Sequence, residues 1–557
     1  MQENDYYRRP GWTVDRTLRR GQVVRRGTEG NYRRIELGPG EPHVVRGDLI
    51  ERPCSTRIAV RLLSLVHLTD LQLADVSSPG RLEFLQRLMG RPGMASMLPS
   101  YRAHELVAAH AFETMLATIN RLMLQGERNI RPDVALTTGD IIDNQQWNEL
   151  QWFFALMNGA KNFRAHSGRI GTENVHSPDW GDGSYWRPDS GDDDYKIRWG
   201  FPDRPGLTNA ATAPFDATGL SLPWLACFGN HDGLVQGRAP ASPEYSEIVT
   251  GALKSAGVSP HLLSGGDDGP PDFLSNTCEY FSGPTRLVTA DKERRLMTRA
   301  EFVAAHFADG GAPSGHGFTE TNLEQGTAYY VADEHQSVRL IMLDTTNPGG
   351  AVDGSVGLQQ FRWLEKRLRE VHARYLDEDG LWVTTDNPDK LVVIASHHGL
   401  STLTNPVTGA DPYQPESVSD LPRILAPDLR RLMHRFPNVV LWVSGHTHRN
   451  SVRPCPGPQG GFWELTTSAI TDWPCQARHL EIGLTESGAV AITTTMIDHQ
   501  APPLPDDARE VELLAALHRE LAANQPESVG GHTARGGRGD RNAVLLLPTP
   551  FTFPVSG

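Results

Sequence analysis

The stretch IAVRLLSLVHLTDLQ, residues 58–72, decides how the rest of the chain is read. Its β-favouring apolar run predicts a buried strand that ends by delivering Asp70. Gln72, a neutral amide and a poorer donor to borderline metal ions than imidazole, follows two residues later. Working outward, HELVAAHAFETMLATINRLML (104–124) has apolar groups at helical spacing, among them Leu106, Val107, Met115, Ile119 and Leu122. DVALTT (133–138) then reads as a short strand running into GDIIDN. Strand, helix, strand is a βαβ unit, and such units place their chemistry at the carboxyl ends of the strands.

The arrangement recurs. PWLACF leads into GNHD (229–232), VRLIML into Asp344, KLVVIAS into His397 and His398, and NVVLWVS into GHTH (445–448). GLQQFRWLEKRLREVHARY (357–375) and PDLRRLMHRF (427–436) are the intervening helices. GFWELTTSA (461–469), RHLEIGLT (478–485) and AVAITTTMI (489–497) read as consecutive antiparallel strands.

A chain of 557 residues has room for three or four domains at the usual ~100–200 residues each. The apolar runs ending in Asp, Asn or His instead imply one sheet system with insertions. The expected organisation is an N-terminal extension over 1–55, a catalytic domain over 56–500 with insertions at about 160–220 and 233–335, and a partly flexible C-terminal segment over 501–557. A net charge of −14 disfavours nucleic acid polymers as partners. No run approaches the ~18 apolar residues that cross a bilayer, and no apolar segment follows the Arg-rich start (Arg8, Arg9, Arg16, Arg19, Arg20). Five cysteines without CxxC spacing favour a reducing compartment and exclude a thiolate zinc site. The expectation is a cytoplasmic protein without membrane contact.

Asp70, Asp140, Asn230, His397, His446 and His448 form a mixed oxygen and nitrogen donor set, suited to Mn, Fe or Zn. It is too large for one ion, and two ions ~3.5–4 Å apart can clamp the attacking and leaving oxygens of a phosphoryl displacement. The ordered blocks DLQ (70–72), GDIID (139–143), GNHD (229–232), SHHG (396–399) and GHTH (445–448) resemble those of the calcineurin-like metallophosphoesterase superfamily. Only these blocks and their flanking strands carry the resemblance, which spans roughly 58–500.

That resemblance implies a four-layer α/β/β/α sandwich of two mixed sheets with long loop insertions. It implies two divalent or trivalent ions, with Asp70 and His448 on the first, Asp140 bridging, and Asn230, His397 and His446 on the second. Superfamily members usually have His where Gln72 stands and some have Gln, so Gln72 is expected as a weak oxygen ligand or a partner of metal-bound water. His231 is the implied catalytic acid and Asp232 the acidic residue beside it, while Asp143 and His398 support the ligands from behind. The expected reaction is attack on phosphorus by a hydroxide held between the ions, with His231 protonating the leaving oxygen. LDTTNPGG (343–350) looks like the corresponding stretch of the cyclic-nucleotide phosphodiesterase branch, which favours a small phosphodiester. A phosphomonoesterase acting on a small metabolite, and a non-catalytic metal-binding regulator, are the alternatives. Oligomeric state is open. Trp180, Tyr185, Trp186 and Trp199 in the first insertion either stack on a substrate ring or pack the loop against the core.

Overall fold

The computed structural model describes residues 11–553 apart from 53, 89–98, 125, 127–129, 170–172, 190, 260–261, 263–272, 275, 409–419 and 504–509. Arg8 and Arg9 lie outside the described residues.

The opening stretch forms β4 (Ile58–Leu68). Ahead of it come a two-stranded ribbon, β1 (Arg16–Arg26) and β2 (Asn31–Pro39), and β3 (Val44–Arg46). After it come β5 (Val134–Thr137) and β6 (Trp224–Leu225), a ribbon of β7 (Leu253–Ser255) with β8 (Thr285–Leu287), then β9 (Tyr330–His335) and β10 (Val338–Leu343). β11 (Arg374–Leu376) and β12 (Trp382–Thr384) form a third ribbon. The chain continues through β13 (Leu391–Ser396), β14 (Val439–Ser444), β15 (Ser451–Cys455), β16 (Phe462–Thr466), β17 (Gln476–Thr485), β18 (Val490–Asp498) and β19 (Ala543–Leu547).

Two mixed sheets result, ordered β3-β19-β18-β17-β4-β5-β6 and β15-β16-β14-β13-β10-β9. β4, β5 and β6 run parallel, as do β10, β13, β14 and β16, so their carboxyl ends share one edge of each sheet. Leu65 and Leu136 of the first sheet and Leu340, Val393 and Val443 of the second belong to one buried core, so the sheets pack face to face. Phe112 and Met115 of α1 (Ala108–Ile119) and Phe153 of α2 (Trp147–Met157) extend that core. Beyond the second sheet, Ile341, Ile394 and Trp442 meet Leu364 and Leu368 of α3 (Leu358–Arg369) and Leu429 and Met433 of α4 (Ala426–Arg435). Each fully buried large apolar side chain contributes about 1.5–3 kcal/mol to this helix, sheet, sheet, helix stack.

Three local features differ from the sequence reading or refine it. β16 does not continue antiparallel into β17. It lies parallel to β14 in the second sheet, and residues 467–475 then cross to the first, where β17 pairs with β4 and β18. The crossing is tied to the ligand loop by Ile470 N to Thr69 O (3.1 Å) and Thr471 N to Asp70 O (3.0 Å). Periodicity within a strand does not report which sheet it joins. Second, β3 and β19, from the segments set apart at the two ends, extend the first sheet as parallel neighbours, and α5 (Val511–Asn524) packs on α1. Third, Trp180, Tyr185 and Trp186 are buried with Tyr32, Tyr101 and Leu517, so these aromatics pack the first insertion against the core. Among the described residues no helix is long and apolar enough to cross a membrane.

Candidate metal centre

The predicted ligands gather at the shared carboxyl edge. Asp70, Gln72, Asp140, His446 and His448 all have left-handed backbones, with φ of 52°, 44°, 52°, 67° and 52°. Held non-glycine residues in this region cost roughly 1–3 kcal/mol each and persist where the surroundings over-determine them. Here the restraint is visible: His446 N donates to Asp70 Oδ2 (2.9 Å), Gln72 N to Asp140 O (2.9 Å), and His231 N to Asp140 Oδ1 (2.8 Å). The glycines that precede two of the ligands follow from the same crowding. A Cβ on Gly445 would overlap Thr69 Oγ1 and Asp70 Oδ2, and one on Gly229 would overlap Asp140 Oδ1.

Nitrogen and oxygen atoms able to bind a cation converge here. His397 Nδ1 lies 2.8 Å from the carbonyl of Thr138, which can only accept, so in the neutral ring Nε2 carries the lone pair. That Nε2 is 3.2 Å from Asp140 Oδ2, 4.0 Å from Asp70 Oδ1 and 3.2 Å from His446 Nδ1. His448 Nδ1 is fixed by Asp472 Oδ2 at 2.6 Å, which turns its Nε2 to Asp70 Oδ1 at 3.3 Å. Asn230 Nδ2 donates to Gly237 O (2.9 Å), so the amide oxygen points the other way, and this Oδ1 is buried with no hydrogen-bond partner. A buried carbonyl oxygen left bare costs about 1–3 kcal/mol unless a ligand satisfies it. One donor atom each from Asp70, Asp140 and His397 lies within 4.8 Å of the others, and the same holds for His397, His398 and His446.

The electrostatics match. Burial lowers the affinity of His397 for a proton, but Asp140 and Asp70 outweigh it and raise its pKa to about 9. Burial is likewise outweighed at His448, where Asp70 and Asp472 raise the value to about 9. Burial opposes ionisation of Asp70 and Asp140, yet His448, His397 and His231 hold both carboxyls below the usual carboxylate range. Protons on these imidazoles hold the place a cation would take, and a bound metal would displace them.

The supporting residues sort by what they touch. Asp143 Oδ2 accepts from Arg81 Nη1 (2.6 Å) and Gln236 Nε2 (3.0 Å), while its carbonyl oxygen and Oδ1 lie 2.7 and 3.3 Å from His231 Nδ1. His398 uses both ring nitrogens elsewhere, on Thr345 Oγ1 and Val352 O at 2.9 Å each. Asp344 fixes a turn: it accepts from Thr346 N (3.1 Å) and pairs with Arg299 (3.2 Å). His67 is held between Thr467 and Thr138 inside the core, and burial lowers its pKa to about 3.

Two expectations need correction. Asp232 does not face the reacting centre. Its carboxylate accepts four backbone N–H groups, from Gly229 (2.8 Å), Asp140 (2.8 Å), Ile141 (3.0 Å) and Ile142 (3.2 Å), so it holds the Asp140 loop against the Asn230 turn. For Gln72 the alternative that changes is the oxygen ligand, because its oxygen is engaged elsewhere, while the partner of metal-bound water is untouched. Its Oε1 accepts from Arg102 Nη2 (2.6 Å), and its Nε2 donates to Asp140 Oδ2 (3.2 Å). The residues that the sequence did not mark are Asp472, Arg102 and Arg81. Asp472 follows β16 at a crossing that no periodicity announces, and Arg102 and Arg81 come from loops of ordinary composition.

No protein-family profile and no curated protein sequence matches this chain. Solved structures similar to it include a dimetal phosphatase from Danio rerio, at 11% identity and TM-score 0.35, covering 79% of this chain and 97% of that one. They also include a sulfate thiohydrolase, SoxB, from Thermus thermophilus in complex with glycerol, at 12% identity and TM-score 0.27, covering 84% of this chain and 61% of that one. At those scores neither likeness decides function, which rests on the donor geometry of this chain.

Proposed function

We propose that the protein is a hydrolase of phosphoric esters that works with two metal ions, Mn or Fe favoured and Zn possible in kind. The observation that carries this reading is the bare, buried Oδ1 of Asn230, next in the chain to His231, whose N–H donates to Asp140, where Asp70, Asp140 and His397 converge. Asp70, Asp140 and His448 would hold one ion, and Asp140, Asn230, His397 and His446 the other. Bound there, the ions would activate water at neutral pH and neutralise the phosphoryl oxygens.

The remaining chemistry belongs to the chain. His231 is placed next to Asn230, with Nδ1 on the carbonyl of Asp143 and the Asp143 carboxylate 3.3 Å away as counter-charge to an imidazolium. Its Nε2 is then the proton donor to a departing oxygen. Arg81 keeps Asp143 in that position. The turn at 347–354 lies beside this edge: Ala351 N donates to Arg238 O (2.6 Å), Gly354 packs on His398, and Asp353 Oδ1 is 3.9 Å from His446 Nε2. A site bordered in this way in a protein of net charge −14 suits a small phosphodiester, cyclic nucleotides included, better than a long polyanion.

Turnover of bis(p-nitrophenyl) phosphate and p-nitrophenyl phosphate with Mn, Fe or Zn supplied singly tests the reading. Metal-dependent, chelator-sensitive hydrolysis with the diester faster is the expected result. Faster monoester turnover would move the substrate class, and no turnover in protein shown to hold two ions would remove the enzyme reading.

A further inference from the structure

The side chain of Arg102 reaches both Gln72 and Asp472, which flank the first half-site. It is 7% exposed and buried among charges. Nη2 donates to Gln72 Oε1 at 2.6 Å, Nε lies 3.5 Å from Asp472 Oδ1, and Nη1 lies 3.7 Å from both Asp143 Oδ1 and Glu105 Oε1. Two residues on, His104 Nε2 is 3.2 Å from the same Asp472 Oδ1, and the other oxygen of Asp472 orients His448. One short stretch, Arg102 to His104, therefore braces Gln72 on one side of Asp70 and Asp472 on the other.

The contact with Gln72 has a directional consequence. A guanidinium only donates, so the atom it holds is the amide oxygen whichever way the amide group is drawn. The NH2 group is then the end that faces Asp140, and an NH2 group cannot ligate a cation. Across the centre the amide of Asn230 is oriented the opposite way: its NH2 is tied to Gly237 O and its oxygen is left bare. The two amides of the site are thus turned in opposite senses by their neighbours.

We propose that Arg102 is a positioning residue that withholds the Gln72 oxygen from the first metal ion, leaving that ion three side-chain donors against four for the second. The inference rests on the two-ion reading above. An ion with fewer protein donors keeps more positions for water and exchanges more readily, so the second ion loads first and the first ion follows.

Mn2+ titration of the full-length chain tests this, with bound ion read by calorimetry and free ion by electron paramagnetic resonance. Wild type is expected to bind two Mn2+ with separable affinities. Gln72→Leu should leave both within threefold of wild type, because Gln72 ligates neither. Arg102→Met removes the donors and frees the amide to rotate, so the weaker affinity should rise at least fivefold while the tighter stays within threefold. The double variant Arg102→Met/Gln72→Leu should lose that gain, which separates a newly recruited oxygen from the simple removal of a positive charge. A tenfold weakening in Gln72→Leu, or a gain that survives in the double variant, overturns the proposal. Gln72→Leu retains Arg102 and its carboxylates, so it decides the matter even where Arg102→Met does not fold. A wild-type chain that binds fewer than two Mn2+ overturns the two-ion reading and this inference with it.

Discussion

Asp472→Asn is the sharpest test of how the centre is held together. Asp472 is fully buried, and its Oδ2 lies 2.6 Å from His448 Nδ1, the length of a charge-assisted hydrogen bond. Asparagine keeps the volume and offers a carbonyl oxygen to His448, but removes the charge that, second to Asp70, helps outweigh burial at that imidazole. Loss of a carboxylate behind a metal-binding histidine typically lowers metal affinity ~10–100-fold. That range is about 1.4–2.7 kcal/mol at 1.36 kcal/mol per factor of ten. Because the contact is short and both partners are buried, the effect belongs at the upper end, and it should fall on the first ion alone. None of Asn230, His397 and His446 hydrogen-bonds Asp472 among the described contacts. Calorimetric titration with Mn2+ should show one affinity reduced and one unchanged. Equal weakening of both, or no change in either, would show that Asp472 does not orient His448 for an ion.

Further outcomes follow from other contacts. Asn230→Ala removes the bare oxygen and should abolish binding of the more tightly held ion, measured as bound metal after gel filtration, together with activity. His231→Ala should keep both ions and lose ~10²–10⁴ in kcat with the diester substrate; an unchanged rate would contradict its role as proton donor. Arg81→Met leaves Asp143 and Glu105 buried without the guanidinium that lies 2.6 and 2.7 Å from them, and should destabilise the fold by ~3–5 kcal/mol in urea unfolding. Burial lowers the pKa of His67, His176, His306 and His479 to about 3 and of His110 and His372 to about 4. The unfolded chain takes up protons near 6.5 that these folded histidines refuse, so the stability they contribute is present above pH 6.5 and should fall steadily towards pH 4. A flat stability profile between pH 7 and 4.5 would contradict that burial.

The sequence was most legible where one strand feeds one ligand. β4, β5, β13 and β14 are largely apolar runs followed within one to three residues by Asp70, Asp140, His397 and His446, so period and chemistry coincide there. Legibility ended where function depends on contacts between distant segments. Arg102 and Gln72 are 30 positions apart and His448 and Asp472 are 24 apart, and nothing in either local pattern announces the pairing. The same limit explains Asp232: its place beside GNH reads as chemistry, whereas its four N–H partners come mostly from the segment 140–142. It also explains β16, whose alternation is that of any strand and whose partner sheet is chosen by where its neighbours already lie.

The left-handed backbones at the ligands bear on which substitutions this chain can survive. Under the two-ion proposal the side chains at Asp70, Asp140, His446 and His448 would each have to supply an electron pair while the backbone keeps positive φ, and Asp, Asn and His are the types that most readily do both. Drift at these four sites would therefore be confined to exchange within that small alphabet, and a β-branched residue would be rejected by the backbone before it was rejected by the chemistry. Gln72, at φ 44° and with its oxygen held by Arg102, would escape the first demand under that proposal and keep only the second. It is the position in the centre with the greatest latitude to change, and the natural starting point for anyone wishing to give this site a different metal.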